Sequence, residues 1–395
     1  PNCVFFDEKR GIIPILEQYN FTVEENDPNE VQVALDPELL GNVFENLLGA
    51  FNKETRDSAR KQSGSFYTPR AIVSYMVDES LIAYLQHNLP EVDSELIREL
   101  FEKEPLPEAL QQDDTLRDEL SKTLRMVKIL EPACGSGAFP MGILNKMMRV
   151  FQKLDQETDQ SETKSRQKNY ARKLHLIEEC IYGIDIQPIA TQISKLRFFI
   201  SLVVDEDRFN PEAENYGIRS LPNLETKFVA ANTLISPGRR PAKGQFSLEN
   251  MDISGKKQEL LSVRKKHFYA PSAAEKTELR KRDDQLREEL STLLQENSEF
   301  ASEDAKNLAK WNPYDQNESA SFFDLDWMFG LEDGFDIVIG NPPYFSLSTD
   351  SKDDKGNAIK HNKLYVKSQY LSVANSGDLY GLCYERGWLL LRNGG

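Results

Sequence analysis

An α/β fold of the doubly wound, mostly parallel kind is what this sequence predicts, and three observations predict it. Short apolar or β-branched runs recur along the chain, each ending in glycine or a polar residue. The first leads through a glycine turn into an amphipathic stretch, the strand–turn–helix opening of such domains. Much of the remainder carries helical periodicity. Parallel strands of this kind present their functional groups at their carboxyl ends, so the residue at each strand tip decides the chemistry.

The first run is Met126-Val-Lys-Ile-Leu-Glu131, followed by Pro132-Ala133-Cys134-Gly135-Ser136-Gly137-Ala138-Phe139 and a helical stretch from Pro140 to Phe151. Gly135 and Gly137 permit a tight turn that brings backbone close to a ligand, and the following helix offers free N–H groups. A lone Gly-x-Gly is a weak signal, and the further glycine of the dinucleotide fingerprint is missing. Glu131 says more. An acid there repels a pyrophosphate and suits the ammonium and sulfonium of S-adenosyl-L-methionine.

The second run, Cys180-Ile-Tyr-Gly-Ile-Asp185-Ile186, ends on an acid of the kind that takes ribose hydroxyls. The competing expectation is an Asp that caps the helix starting near Pro188. The third, Lys227-Phe-Val-Ala-Ala-Asn232, ends on an amide able to meet an adenine edge, or on an ordinary turn residue. The fourth, Phe335-Asp-Ile-Val-Ile-Gly340, runs into Asn341-Pro342-Pro343-Tyr344. That sets an amide, a rigid turn and an aromatic ring where strand meets loop, a set suited to holding a flat, nitrogen-bearing group against a reactive partner. The plainer expectation is a proline-stiffened turn after a buried strand.

Taken in order, Gly64-Ser-Phe66-Tyr67-Thr68-Pro69, Glu131 to Gly137, Gly183-Ile-Asp185, Asn232-Thr-Leu and Asn341 to Tyr344 resemble the gamma class of amino-methyltransferases. These are adenine-N6 DNA methyltransferases whose cofactor motif precedes the catalytic one. The leader Leu35 to Leu48 resembles the helical entry segment of the type IIG restriction-modification group and of BREX-like phage-defence methylases. The resemblance runs from about residue 35 to the end, apart from a charged insert. It implies a Rossmann-like sheet of the S-adenosylmethionine-dependent methyltransferase type, with S-adenosyl-L-methionine as cofactor.

Carried over by position, the resemblance implies that Thr68 meets the methionine part of the cofactor. Glu131, Pro132, Ala133, Cys134, Gly135 and Gly137 line the same end. Asp185 holds the ribose hydroxyls, with Ile186 beside it. Asn232 stands where the family often has Asp, and its amide oxygen can still accept from an adenine amino group. Asn341 and Pro342 address the target amine, Pro343 stiffens the turn, and Tyr344 stacks on the extruded base. An exocyclic amine is a poor nucleophile because its lone pair is delocalised. Two acceptors, the Asn341 oxygen and the Pro342 carbonyl, draw it towards tetrahedral geometry and free the lone pair for in-line attack. Fixed dipoles and alignment supply the catalysis, and no metal or covalent nucleophile is required. The target lies inside a duplex, so the nucleotide must flip out.

Composition sets the limits. A chain of 395 residues suits two to three domains. With 39% hydrophobic residues and no run of about 18 apolar ones, no membrane span is expected, and no signal peptide opens the chain. Cys3, Cys134, Cys180 and Cys383 have neither disulfide-framework nor zinc spacing, which points to a reducing bacterial cytoplasm. A net charge of −16 argues against strong stand-alone binding to double-stranded DNA, because duplex affinity comes mainly from cationic contacts to phosphate. The expectation is therefore a recognition domain outside this stretch. Asp378 to Leu391 would be the helix before a fifth strand, and the sheet would stop before completion.

The expected division is 1–125, mainly helical and carrying the Phe-Tyr-Thr-Pro segment; 126–249, the cofactor half; 250–310, a charged helical insertion; and 311–395, a truncated catalytic half. The insertion holds Lys256-Lys257, Arg264-Lys265-Lys266, Arg280-Lys281-Arg282 and Glu288-Glu289. It reads as a solvated helical hairpin, or as an arm that contacts phosphate or supports the recognition domain. Residues 346–372, with Lys352, Lys355, Lys360 and Lys363, read as a polar loop that orders on DNA. The catalytic tetrapeptide would equally serve cytosine N4 or a protein glutamine amide. The Phe66-Tyr-Thr-Pro69 segment favours DNA. A decayed, cofactor-binding module is the non-enzymatic alternative.

Overall fold

The computed structural model describes residues 68–155, 162–205, 221–238, 248–296, 302–344 and 378–395, with short pieces at 21–22, 33–34, 351–352, 358–359, 365 and 370–372. The leader 35–48, residues 64–67 and most of the 346–372 loop lie outside the described residues.

Four strands form one all-parallel sheet: β1 (Ile129–Glu131), β2 (Ile181–Asp185), β3 (Phe228–Ala230) and β4 (Ile337–Val338), in the order β3-β2-β1-β4. Ile129 stands opposite Ile181 on one side and Ile337 on the other, while Glu131 faces Gly183 and Asp185 faces Ala230. Bridges at both edges extend the pairing, Ala231 with Ala320 and Phe335 with Leu391. Each strand is a short apolar run because both of its faces are covered.

Among the described residues, seven helices precede β3: α1 (Arg70–Asn88), α2 (Ser94–Glu102), α3 (Glu108–Gln111), α4 (Asp114–Met126), α5 (Ala138–Leu154), α6 (Glu162–Glu179) and α7 (Pro188–Val203). Their apolar sides share one core with Ile129, Ile181, Phe228 and Ile337 from the sheet. Alternate strand residues, Leu130, Tyr182 and Val229, point into a second core. That second core is built by α8 (Leu248–Tyr269), α9 (Ala273–Glu296), α10 (Ser302–Lys310) and α11 (Leu325–Phe329), with Leu390 from α12 (Leu379–Leu390).

The charged stretch is thus a helical hairpin whose apolar side joins the core on this face of the sheet. Its apolar residues Ile253, Leu260, Leu286 and Leu290 are buried there. So are some of its charges. Asp283, fully buried, accepts from Arg264 Nε and Arg287 Nε, both at 2.8 Å. Arg264 also donates to the Trp327 carbonyl at 2.5 Å, and Arg287 to those of Ala309 and Trp311. Burial alone would push the Asp283 carboxyl up, but the two guanidiniums outweigh it and hold the acid below its ordinary value. No helix among the described residues is long and apolar enough to cross a membrane.

Candidate active site

The chain runs outwards from β1 through β2 to β3, then returns to place β4 on the other side of β1. The crevice beyond the carboxyl ends of β1 and β4 is the switch point where ligands bind in such sheets. Glu131 ends β1, and Asn341 follows β4 by three residues.

The turn after β1 is held from every side. Cys134 N–H donates to the Ile184 carbonyl at 2.7 Å, and Gly137 N–H to the Cys134 carbonyl at 2.8 Å. From α7, Ser194 Oγ donates to the Gly135 carbonyl at 3.0 Å and the buried Arg197 to the Ser136 carbonyl at 2.8 Å. Gly137 has φ +85°, and a Cβ there would stand 2.8 Å from Ser194 Oγ, so both conformation and space require glycine. On the other flank Thr233 Oγ1 donates to the Pro132 carbonyl at 2.7 Å. Burial, with Asp185 and Glu131 adding to it, pushes the Cys134 thiol well above its ordinary range. It is an inert packing group, not a nucleophile.

Asp185 ends β2 and latches the same turn: one oxygen accepts from Gly135 N–H at 2.8 Å, the other from Gln187 N–H at 2.8 Å. The second bond is a local Asx-type turn just ahead of α7; it is not the helix cap of the competing expectation, since Gln187 is the N-cap residue and no side chain caps the helix. The first bond ties two strand tips together. Ile186 is exposed beside it. Asn232 follows β3; its side-chain oxygen accepts from Leu234 N–H at 3.1 Å, a turn of the Asx type, and the Tyr365 hydroxyl also bonds this side chain.

Across the crevice, Ile339 N–H donates to the Leu130 carbonyl at 2.9 Å, which sets β4's exit beside Glu131. A Cβ on Gly340 would lie 3.3 Å from Glu131 Cγ, so the buried acid packs directly against the residue before Asn341. Asn341 Nδ2 donates to Thr68 Oγ1 at 3.2 Å, and its Oδ1 accepts from the Tyr344 hydroxyl at 3.0 Å. Thr68 sits just before α1, whose Val73 and Val77 are rooted in the first core. Pro342 and Pro343 are half-buried and Tyr344 is exposed. The Tyr344 ring lies nearly parallel to Tyr380 of α12, 10° between planes and 6.1 Å between centroids.

Thr68, Glu131, Asp185 and Asn341 therefore converge on one crevice. Sequence reasoning missed the residues that hold it: Ser194, Arg197, Thr233, Tyr380, and Arg386, which donates to the Thr233 carbonyl at 2.8 Å. Thr233 stood inside the Asn232-Thr-Leu run, and Tyr380 and Arg386 inside the 378–391 stretch, with no role assigned to them; for Ser194 and Arg197 only the short polar side chains of α7, at helical spacing after the glycine turn, gave any hint. The basic clusters lie elsewhere and are largely engaged. Arg264 is buried, Arg280 reaches Glu225 and His267, and Arg282 pairs with Glu259. Lys256 pairs with Glu289, Lys257 with Asp326, and Lys265 with Glu178 and Glu179. Among the described residues no group of three or more His, Cys, Asp or Glu is placed to hold a metal ion.

A mixed α/β chain with a four-stranded parallel sheet and this crevice has a methyltransferase-like fold. Residues 179–395 match the Eco57I restriction-modification methylase family, and the chain belongs to that family. It is also similar to a protein of Methanocaldococcus jannaschii named as a putative type II restriction enzyme and methyltransferase, 29% identical over 238 residues. That match covers 57% of this chain and 18% of the relative, so the chain spans under a fifth of the length of the curated relative it matches.

Proposed function

We propose that this chain is the methyltransferase part of a restriction-modification or phage-defence protein, transferring a methyl group from S-adenosyl-L-methionine to the N6 amine of a flipped-out adenine in double-stranded DNA. The observation that carries the reading is the convergence of Thr68, Glu131, Asp185 and Asn341 at one end of the parallel sheet. In this reading residues 126–249 are the cofactor half of a doubly wound Rossmann-like domain and 311–395 the target half. Residues 1–125 are the lead-in to it, mainly helical over the described 70–126 stretch, and 250–310 insert between the halves.

The residues present fit the cofactor. Asp185 is an acceptor-only carboxylate at the tip of β2, fixed by two backbone N–H groups, and so is of the kind that suits hydroxyl donors. Glu131 puts a buried carboxylate where a cationic ligand would relieve the cost of its burial. Ile186 offers an apolar face beside the ribose acid. Bound S-adenosylmethionine supplies an electrophilic methyl on sulfur. The protein's own part is positioning: Asn341 Oδ1 and the Pro342 carbonyl accept from the target amine, and Tyr344 offers its ring to the extruded base.

The test is transfer of tritiated methyl to unmethylated DNA, with digestion to nucleosides. N6-methyladenine in DNA is the expected product, and Asn341→Ala should remove it. Label in N4-methylcytosine or in protein glutamine would replace the adenine assignment. Absence of cofactor binding by calorimetry would leave only a module without activity.

A further inference from the structure

An asparagine amide can sit two ways, related by a half-turn that exchanges oxygen for nitrogen, and only one presents an acceptor to an incoming N–H. In Asn341 the nitrogen donates to Thr68 and the oxygen accepts from Tyr344. The two bonds differ in shelter. Thr68 is 8% exposed and anchored at the root of α1, whereas Tyr344 is 52% exposed on a loop. Water competes for the second bond far more than for the first. The lasting tether is thus on the nitrogen, and the oxygen faces the side open to a large substrate. There the Tyr344 O–H occupies the position that an amine N–H would take.

We infer that Thr68 is a positioning residue for Asn341: its buried hydroxyl anchors the side chain, whose oxygen is turned to the Tyr344 side, while the Tyr344 hydroxyl fills the amine's place until the amine displaces it. This rests on the methyltransferase reading above, and it gives Thr68 a task besides any contact with the cofactor. No covalent step is involved; one hydrogen bond to Oδ1 is exchanged for another.

The test compares the whole chain with Thr68→Val, Thr68→Ser and Tyr344→Phe. Cofactor affinity is read by calorimetry, and single-turnover methyl transfer on PCR-amplified genomic DNA, which carries no methylated bases. Thr68→Val should slow transfer about tenfold to a hundredfold at saturating cofactor, with cofactor affinity within about threefold, and Thr68→Ser should restore the rate. A tenfold loss of cofactor affinity with an unchanged rate would overturn the proposal. Tyr344→Phe keeps the ring and removes the hydroxyl, so the nitrogen-15 NMR signals of the Asn341 side-chain NH₂ should move; unmoved signals would remove the stand-in role. A parent chain that binds S-adenosylmethionine but labels no DNA would defeat the functional reading alone. The tether is then judged by the Asn341 side-chain NH₂ signals in nitrogen-15 NMR, identified by their loss in Asn341→Ala. They should move in Thr68→Val and stay in Thr68→Ser; signals unmoved in Thr68→Val would overturn it.

Discussion

The two sides of the crevice are built differently. The turn after β1 is gripped by main-chain bonds and by side chains from three other segments, Asp185, Ser194, Arg197 and Thr233. In the segment after β4, side-chain hydrogen bonds join Asn341 to Thr68 and Tyr344, the Tyr344 ring lies against Tyr380, and that ring is exposed. A small ligand can be met by a rigid cradle whose groups are fixed in advance. Under the proposed function the target base arrives with a duplex attached, and the groups that receive it must yield and re-form. The comparison teaches that rigidity here is graded across a few ångströms.

Removing Asn341 should break the yielding side alone. Asn341→Ala is expected to lower the rate of methyl transfer on the order of a thousandfold while cofactor affinity stays within a few-fold by calorimetry. A comparable loss of affinity would mean that the two sides are not separable. Next in size is the charged layer beneath both. Asp283→Ala leaves Arg264 and Arg287 buried without their acid, so unfolding should be easier by about 3–5 kcal/mol in urea. Because the folded Asp283 carboxyl lies below its ordinary value, its contribution is complete above that value and drains away as pH falls through the acid range. Asp283→Asn should accordingly flatten the stability curve below about pH 4.

On the rigid side, Gly137→Ala forces a left-handed backbone onto a side chain pressed against Ser194. It should cost about 1–2 kcal/mol of stability and weaken cofactor binding, with Asn341 chemistry at saturation little changed. The smallest effect belongs to Tyr380→Ala. Losing the ring partner of Tyr344 should cost about 0.5–1.5 kcal/mol at most and leave cofactor affinity untouched. An affinity change would show that α12 grips the cradle, a route the Arg386 bond to Thr233 leaves open.

Much of this architecture could be read in advance, and the reason is local. Parallel strands buried on both faces are short apolar runs, and their tips break into glycine, acid or amide, so Glu131, Asp185, Asn232 and Asn341 announced themselves within a few residues. The hairpin of α8 and α9 was harder. Arg264, Asp283 and Arg287 look in a sequence like any charges on a wet helix, and nothing local tells that Trp327 and Ala309 close over them. A charge-reversal test of phosphate contact at Arg264 would therefore unfold the chain rather than report on DNA. Lys266 and Lys281, both exposed, are the cleaner pair; reversing them should change stability by less than about 0.5 kcal/mol. Arg197 and Ser194 escaped for another reason. Their partners are carbonyl oxygens, which carry no sequence signature.

The Thr68–Asn341 hydrogen bond joins residues 273 positions apart. Closing so long a loop is entropically unfavourable until the intervening strands and helices have already docked. The contact therefore belongs to the end of assembly, and a partly folded chain would lack an aligned amide. Under the proposed function, competence and completeness arrive together, so a nascent or damaged molecule would leave DNA unmethylated.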